Sequence, residues 1–148
     1  MTIYLDHAAT APINEAAIDA LNIAMRKLGN ASSIHNQGRS VRKDVEDARH
    51  KLSELIGANP SEIIFTGSGT EANNLAILGF AKNFDSPKHF ITSTYEHSSV
   101  YETFSEIEKI GHSVTYVKPQ INGRINPKDI IDSINKDTVM ISLMSVNN

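Results

Sequence analysis

From residue 63 onward, short β-branched or aromatic runs alternate with stretches of helical period, and this alternation constrains the fold more than any other feature of the chain. Ile63-Ile64-Phe65-Thr66, His89-Phe90-Ile91-Thr92, Val114-Thr115-Tyr116-Val117 and Thr138 to Met144 read as strands. Between them, Ala72, Leu75, Ala76 and Leu78, then Val100, Phe104 and Ile107, then Ile130, Ile131 and Ile134 recur at helical spacing, the last group opened by Pro127 after an Asn122-Gly123 turn. Strand, helix, strand, helix is the signature of an α/β fold with a largely parallel sheet and flanking helices.

Upstream, Ala17, Leu21, Ala24 and Leu28 outline a helix that Gly29 ends, and residues 30–38 carry turn formers without period and read as a loop. From Ser40, the stripe Val41, Val45, Ala48, Leu52 and Leu55 predicts a helix stopped by Gly57. Ile63 to Thr66 is then expected as a buried strand. We divide the chain into an N-terminal segment, 1–38, and a first part of a larger α/β domain, 39–148.

At 148 residues with 40% hydrophobic content, the chain can bury a core. Its 17 acidic and 14 basic residues are interspersed, so no basic stripe points to nucleic acid. No apolar run approaches the roughly 20 residues of a membrane span and no leader pattern opens the sequence, so a cytoplasmic protein acting on a small molecule or another protein is expected. The absence of cysteine excludes disulfides, thiolate metal sites and a cysteine nucleophile on this chain.

The candidate site is the turn Gly67-Ser68-Gly69-Thr70 between a strand and a helix. Unpaired N–H groups and the positive end of a helix dipole would meet there, glycines would let the backbone close on an anion, and the Thr70 hydroxyl could add a donor. The same residues, with Ala72 and Glu96, also fit a dinucleotide loop, and the plainer alternative is a tight turn capped by Thr70. His97 follows the next strand at the sheet's C-terminal edge, where open α/β sheets hold ligands. An imidazole there can stack on a ring or shuttle a proton, or simply cap a helix by bonding Glu96 or Ser99. His35 reads as a turn residue; His50, His89 and His112 lack partners at metal-ligand spacing and read as solvated, and no metal is expected. Asn147-Asn148 is a polar turn after the last strand.

Five words carry a more specific signal: Tyr4-Leu5-Asp6-His7-Ala8-Ala9-Thr10, Gly29-Asn30-Ala31-Ser32-Ser33-Ile34-His35, residues 63–74 (Ile-Ile-Phe-Thr-Gly-Ser-Gly-Thr-Glu-Ala-Asn-Asn), Glu96-His97 and Ser145-Val146-Asn147-Asn148. In this order they resemble the N-terminal part of cysteine desulfurases of the aminotransferase class V group, pyridoxal-phosphate (PLP) enzymes of fold type I. Ala11 and Ala31 stand where that family often has Thr and Pro.

The resemblance implies the incomplete large domain of a PLP-dependent transferase. It implies that Gly69 and Thr70 hold the PLP phosphate, that His97 stacks on the pyridine ring as a catalytic and cofactor-binding residue, and that Asn148 lies near the ring hydroxyl. It implies L-cysteine as substrate, converted to L-alanine while sulfur passes as a persulfide to an acceptor protein for iron–sulfur or thio-cofactor synthesis. A homodimer, or a second chain that completes the domain, is expected, with residues 29–38 near the site. The family's Schiff-base lysine, pyridine-facing aspartate, carboxylate-binding arginine and persulfide cysteine fall beyond the matched segment, and none of the nine lysines here has the family's Ser-x-His-Lys setting. The chain is therefore expected to be inactive alone and to leave apolar faces uncovered. A non-catalytic regulator of a homologue, or part of a selenocysteine lyase or class V aminotransferase, are the alternatives.

Overall fold

The computed structural model describes residues 3–7 and 10–147. The chain divides into two compact units, Met1–Phe65 and Thr66–Asn148. The first is helical. α1 (Glu15–Met25) starts where the Asn14 side chain accepts from the Ala16 amide at 2.9 Å. It stops three residues short of the expected end, and none of its residues is buried.

α2 (Asn36–Ile56) begins four residues earlier than the apolar stripe indicated. The reason is a cap: His35 Nδ1 accepts from the Gly38 amide, so Asn36, Gln37 and Gly38 belong to the helix rather than the loop. Gly38 is needed there because a Cβ would lie 2.5 Å from the Ser33 carbonyl oxygen and 2.7 Å from that of Asn30. Gly57 ends α2 in the left-handed conformation, φ 69°.

A 3-10 turn, Pro60–Glu62, leads into residues 63–66, which form no strand. This corrects the sequence expectation. A strand is a hydrogen-bonded ladder, and among the described residues nothing pairs with this segment; Ile64 and Phe65 remain 68% and 49% exposed. Within its own unit the segment is held by Arg49, whose guanidinium donates to the Ile63 carbonyl and lies 4.9 Å from the centre of the Phe65 ring.

The second unit is the α/β body: α3 (Gly69–Ala81), β1 (His89–Ser93), α4 (Ser98–Lys109), β2 (Ser113–Val117), α5 (Pro127–Ser133) and β3 (Thr138–Ile141). The strands form one parallel sheet in the order β2-β1-β3, with His89 opposite Ser113 and Thr138. β1 is central and buried along its whole length, as a strand covered on both faces should be. Phe90 turns to one face and packs with Ile77, Ala81, Phe104 and Ile107 of α3 and α4; Ile91 turns to the other with Val117 and Ile130. Phe90 and Phe104 are fully buried in an edge-to-face pair, ring centres 6.4 Å apart, each contributing roughly 1.5–3 kcal/mol by burial.

Two histidines expected in solvent are instead structural. His89 is 5% exposed at the centre of the sheet, its Nδ1 2.7 Å from Thr138 Oγ1 and its Nε2 2.8 Å from Thr115 Oγ1, so one ring bridges both neighbouring strands. His112 accepts from the Lys88 amide at 3.0 Å and meets the Phe90 ring edge-on. Both imidazoles find hydrogen-bond partners in neighbouring strands or loops, distant in sequence, which spacing rules for metal ligands do not detect. Among the described residues no group of three acidic or histidine side chains could hold a metal ion, and no helix is long and apolar enough to cross a membrane.

Candidate functional site

α3 opens at the glycine turn, and the capping residue is Ser68, not Thr70. Ser68 Oγ accepts from the Glu71 amide at 3.1 Å. The Glu71 carboxylate turns back to the Gly67 amide at 2.6 Å. The amides of Gly69 and Thr70, first and second in the helix, meet no acceptor among the described residues. Space in front of Gly69 is open, and the Thr70 hydroxyl is exposed and makes no hydrogen bond there. The first turn of this 13-residue helix thus leaves two N–H groups without an acceptor among the described residues at the positive end of its dipole.

His97, the last residue of the β1–α4 loop, is the N-cap of α4. Its Nδ1 accepts from the Ser99 amide at 3.1 Å, which caps the helix, and lies 2.8 Å from Ser99 Oγ. The ring is exposed and its Nε2 has no partner among the described residues. Of the two partners sequence reasoning allowed, Ser99 is the one used. Glu96 faces elsewhere: its Oε1 accepts from Ser93 Oγ at 2.6 Å and from the Met144 amide at 3.0 Å.

That second bond explains why β3 stops at Ile141 rather than Met144. Ser142 still donates to Ile91 at 2.9 Å, but the Met144 amide has left the ladder for Glu96. Asn147 then donates to the Tyr95 carbonyl at 2.6 Å. The loop carrying His97 and the segment leading to Asn148 are thereby fastened together; Asn148 itself lies outside the described residues.

The heads of α3 and α4 are also joined. Asn73 Nδ2 donates to Ser99 Oγ at 2.9 Å, and Thr103 Oγ1 donates to Asn74 Oδ1 at 3.1 Å. These residues escaped sequence reasoning; the available signal was that Asn73 and Asn74 share a helix surface with Thr70, three and four residues on. Two cavities flank this arrangement. One, about 270 Å³, lies in the α3–α4 groove and includes Thr70, but Glu102 and Glu106 give it the wrong sign for a phosphate. The other, about 350 Å³, is lined by Ser93, Tyr95, Arg124, Met144 and Asn147 at the sheet edge. Neither contains Gly69 or His97, so the candidate site is the open edge above the two helix heads rather than an enclosed pocket.

Known proteins match this geometry closely. At 43% identity over 99% of its length, the chain is similar to the cysteine desulfurase IscS of Dictyoglomus turgidum, and at 42% to a putative cysteine desulfurase, IscS 1, of Bacillus subtilis. It spans 38% and 39% of those proteins. Among solved structures, a NifS-like protein superposes with a TM-score of 0.94 at 30% identity, and SspA in complex with cysteine with 0.91 at 34%; the chain covers 41% and 43% of them. The aminotransferase class-V family model matches residues 3–148, and the chain belongs to that family.

Proposed function

We propose that this chain is the N-terminal part of a PLP-dependent cysteine desulfurase. The observation that carries the reading is the pair of unaccepted amides at Gly69 and Thr70 beside an exposed imidazole at the head of the adjoining helix. A phosphate end would be held by Gly69, Thr70 and the α3 dipole, and the His97 ring offers a face for a heteroaromatic ring. Asn148 would serve the ring hydroxyl. When bound, PLP supplies the electron sink that the protein lacks. The chain's own residues bind and orient.

The substrate proposed for the complete enzyme is L-cysteine, giving L-alanine and a persulfide passed to an acceptor protein for iron–sulfur or thio-cofactor synthesis, in a cytoplasmic homodimer. With no cysteine in 148 residues, the persulfide has to be carried elsewhere, and none of the nine lysines stands in the setting the family uses to attach PLP. This chain therefore binds PLP through phosphate and stacking alone and does not desulfurate cysteine unaided. We assign residues 39–148 to the cofactor-binding domain and 1–38 to a separate N-terminal segment.

The test is the visible absorbance of PLP with the chain alone, and with the chain mixed with a polypeptide carrying the family's lysine and cysteine segments. The expected result is PLP binding that inorganic phosphate competes away, and a lysine-linked cofactor band, bleached by cysteine, only in the mixture. No phosphate-competed binding and no band in any combination would leave a non-catalytic regulator and end the enzymatic reading.

A further inference from the structure

The hydrogen bonds around His97 determine where its protons are. A backbone N–H can only donate, so the Ser99 amide, 3.1 Å away, makes His97 Nδ1 an acceptor. Ser99 Oγ, 2.8 Å from the same unprotonated nitrogen, must then be the donor and spends its single proton there. Its lone pairs are left for Asn73 Nδ2, which also can only donate and lies 2.9 Å away. Every proton in the chain Asn73, Ser99, His97 runs in one direction.

We propose that Asn73 and Ser99 are positioning residues that hold His97 in one neutral tautomer, with the proton on Nε2. The relay presents an N–H donor and a ring face at the sheet edge and keeps Nδ1 turned to Ser99. To take a proton at Nδ1 the ring must give up both bonds from Ser99; at Nε2 it already carries one. His97 therefore offers the site a ring face and, at Nε2, a hydrogen-bond donor.

The relay also links two helix heads. Asn73 lies one turn beyond Thr70 on the same surface of α3, so a ligand that orders the head of α3 also orders the ring on α4. The assignment of His97 to a cofactor rests on the proposed function; the tautomer does not.

Ring ¹⁵N shifts distinguish protonated from unprotonated imidazole nitrogens, and they can be read on the histidine-labelled chain without cofactor at mildly alkaline pH. Loss of one signal set in His97→Asn, whose side-chain oxygen preserves the cap, assigns the residue. The expected spectrum has an unprotonated Nδ1 and a protonated Nε2. Ser99→Ala should raise the minor tautomer about fivefold, the effect of one neutral hydrogen bond, with a smaller rise in Asn73→Ala and recovery in Ser99→Thr. A wild-type His97 protonated at Nδ1, or variants indistinguishable from wild type, would overturn the proposal. Phosphate-competed PLP binding, measured separately on the same samples, reports on the functional reading: its absence beside the expected tautomer would remove the cofactor and leave the relay standing.

Discussion

Thr92 and Thr103 allow a direct test of how this core handles polar atoms. Thr92 is fully buried in β1 on the face shared with Phe90, and its hydroxyl has no hydrogen-bond partner among the described residues. Thr103, 2% exposed on α4 against the same core, shares its one hydroxyl proton between the Ser99 carbonyl at 2.7 Å and Asn74 Oδ1 at 3.1 Å. Replacing either by valine exchanges a hydroxyl for a methyl of similar size. Threonine and valine are alike in strand and in helix propensity, so the backbone contribution nearly cancels. At position 92 the exchange removes an unsatisfied group whose burial costs about 1–3 kcal/mol, so Thr92→Val should stabilise by about 1–2 kcal/mol. At position 103 it removes a made bond and strands the Asn74 oxygen, so Thr103→Val should cost about 1–3 kcal/mol. In urea unfolding, with m of about 1–3 kcal/mol/M, the two midpoints should separate by roughly 1 M or more in opposite directions from wild type. If Thr92→Val loses as much as Thr103→Val, the Thr92 hydroxyl has a partner in solution and the reasoning fails.

Three further outcomes are expected. Glu96→Gln keeps an acceptor but removes the charge from two bonds, so the Met144 amide should exchange with solvent about tenfold faster, read by hydrogen exchange; unchanged exchange would deny Glu96 its role as a tie. Burial, then the hydrogen bond to Glu108, holds the Tyr116 hydroxyl above its ordinary value of 10.0, so its contribution is fully present below about pH 10 and is lost as pH rises toward the folded value; Tyr116→Phe should flatten that alkaline fall in unfolding midpoint. Gly38→Ala places a methyl against two backbone oxygens and should cost ~1–3 kcal/mol in thermal or urea unfolding, whereas an unchanged midpoint would show that the 30–38 turn can shift.

What the sequence made legible follows from the range of the interactions involved. The three strands from His89 onward, the helices between them and the parallel sheet could all be read because periodicity and turn residues are local. Residues 63–66 could not, because β-branched composition reports a tendency to be buried while strand formation needs a neighbour that composition does not locate. The start of α2 was missed for the opposite reason: a histidine cap and a glycine at close approach set it, and both resemble loop residues. At the site, the helix start at the glycine turn was legible, but its cap belongs to Ser68 and not to Thr70. His89 and His112 were misjudged because their partners are 24 to 49 residues away.

The sheet edge is built so that its exposed groups are fixed by polar atoms behind them. Glu96 and Asn147 fasten the β1–α4 loop to the chain beyond β3, while Asn73 and Ser99 fasten the head of α3 to that of α4. Each tie spans 26 or more residues of sequence and ends within one or two positions of a proposed ligand-binding residue. Apolar packing of Phe90, Phe104 and Ile77 sets the distance between β1 and the helices but leaves the rotation of an exposed imidazole free. Directional bonds remove that freedom before any ligand arrives, and a ring already oriented loses less entropy on stacking. The exposed His97 ring is thus held in place by hydrogen bonds at an edge that stays open.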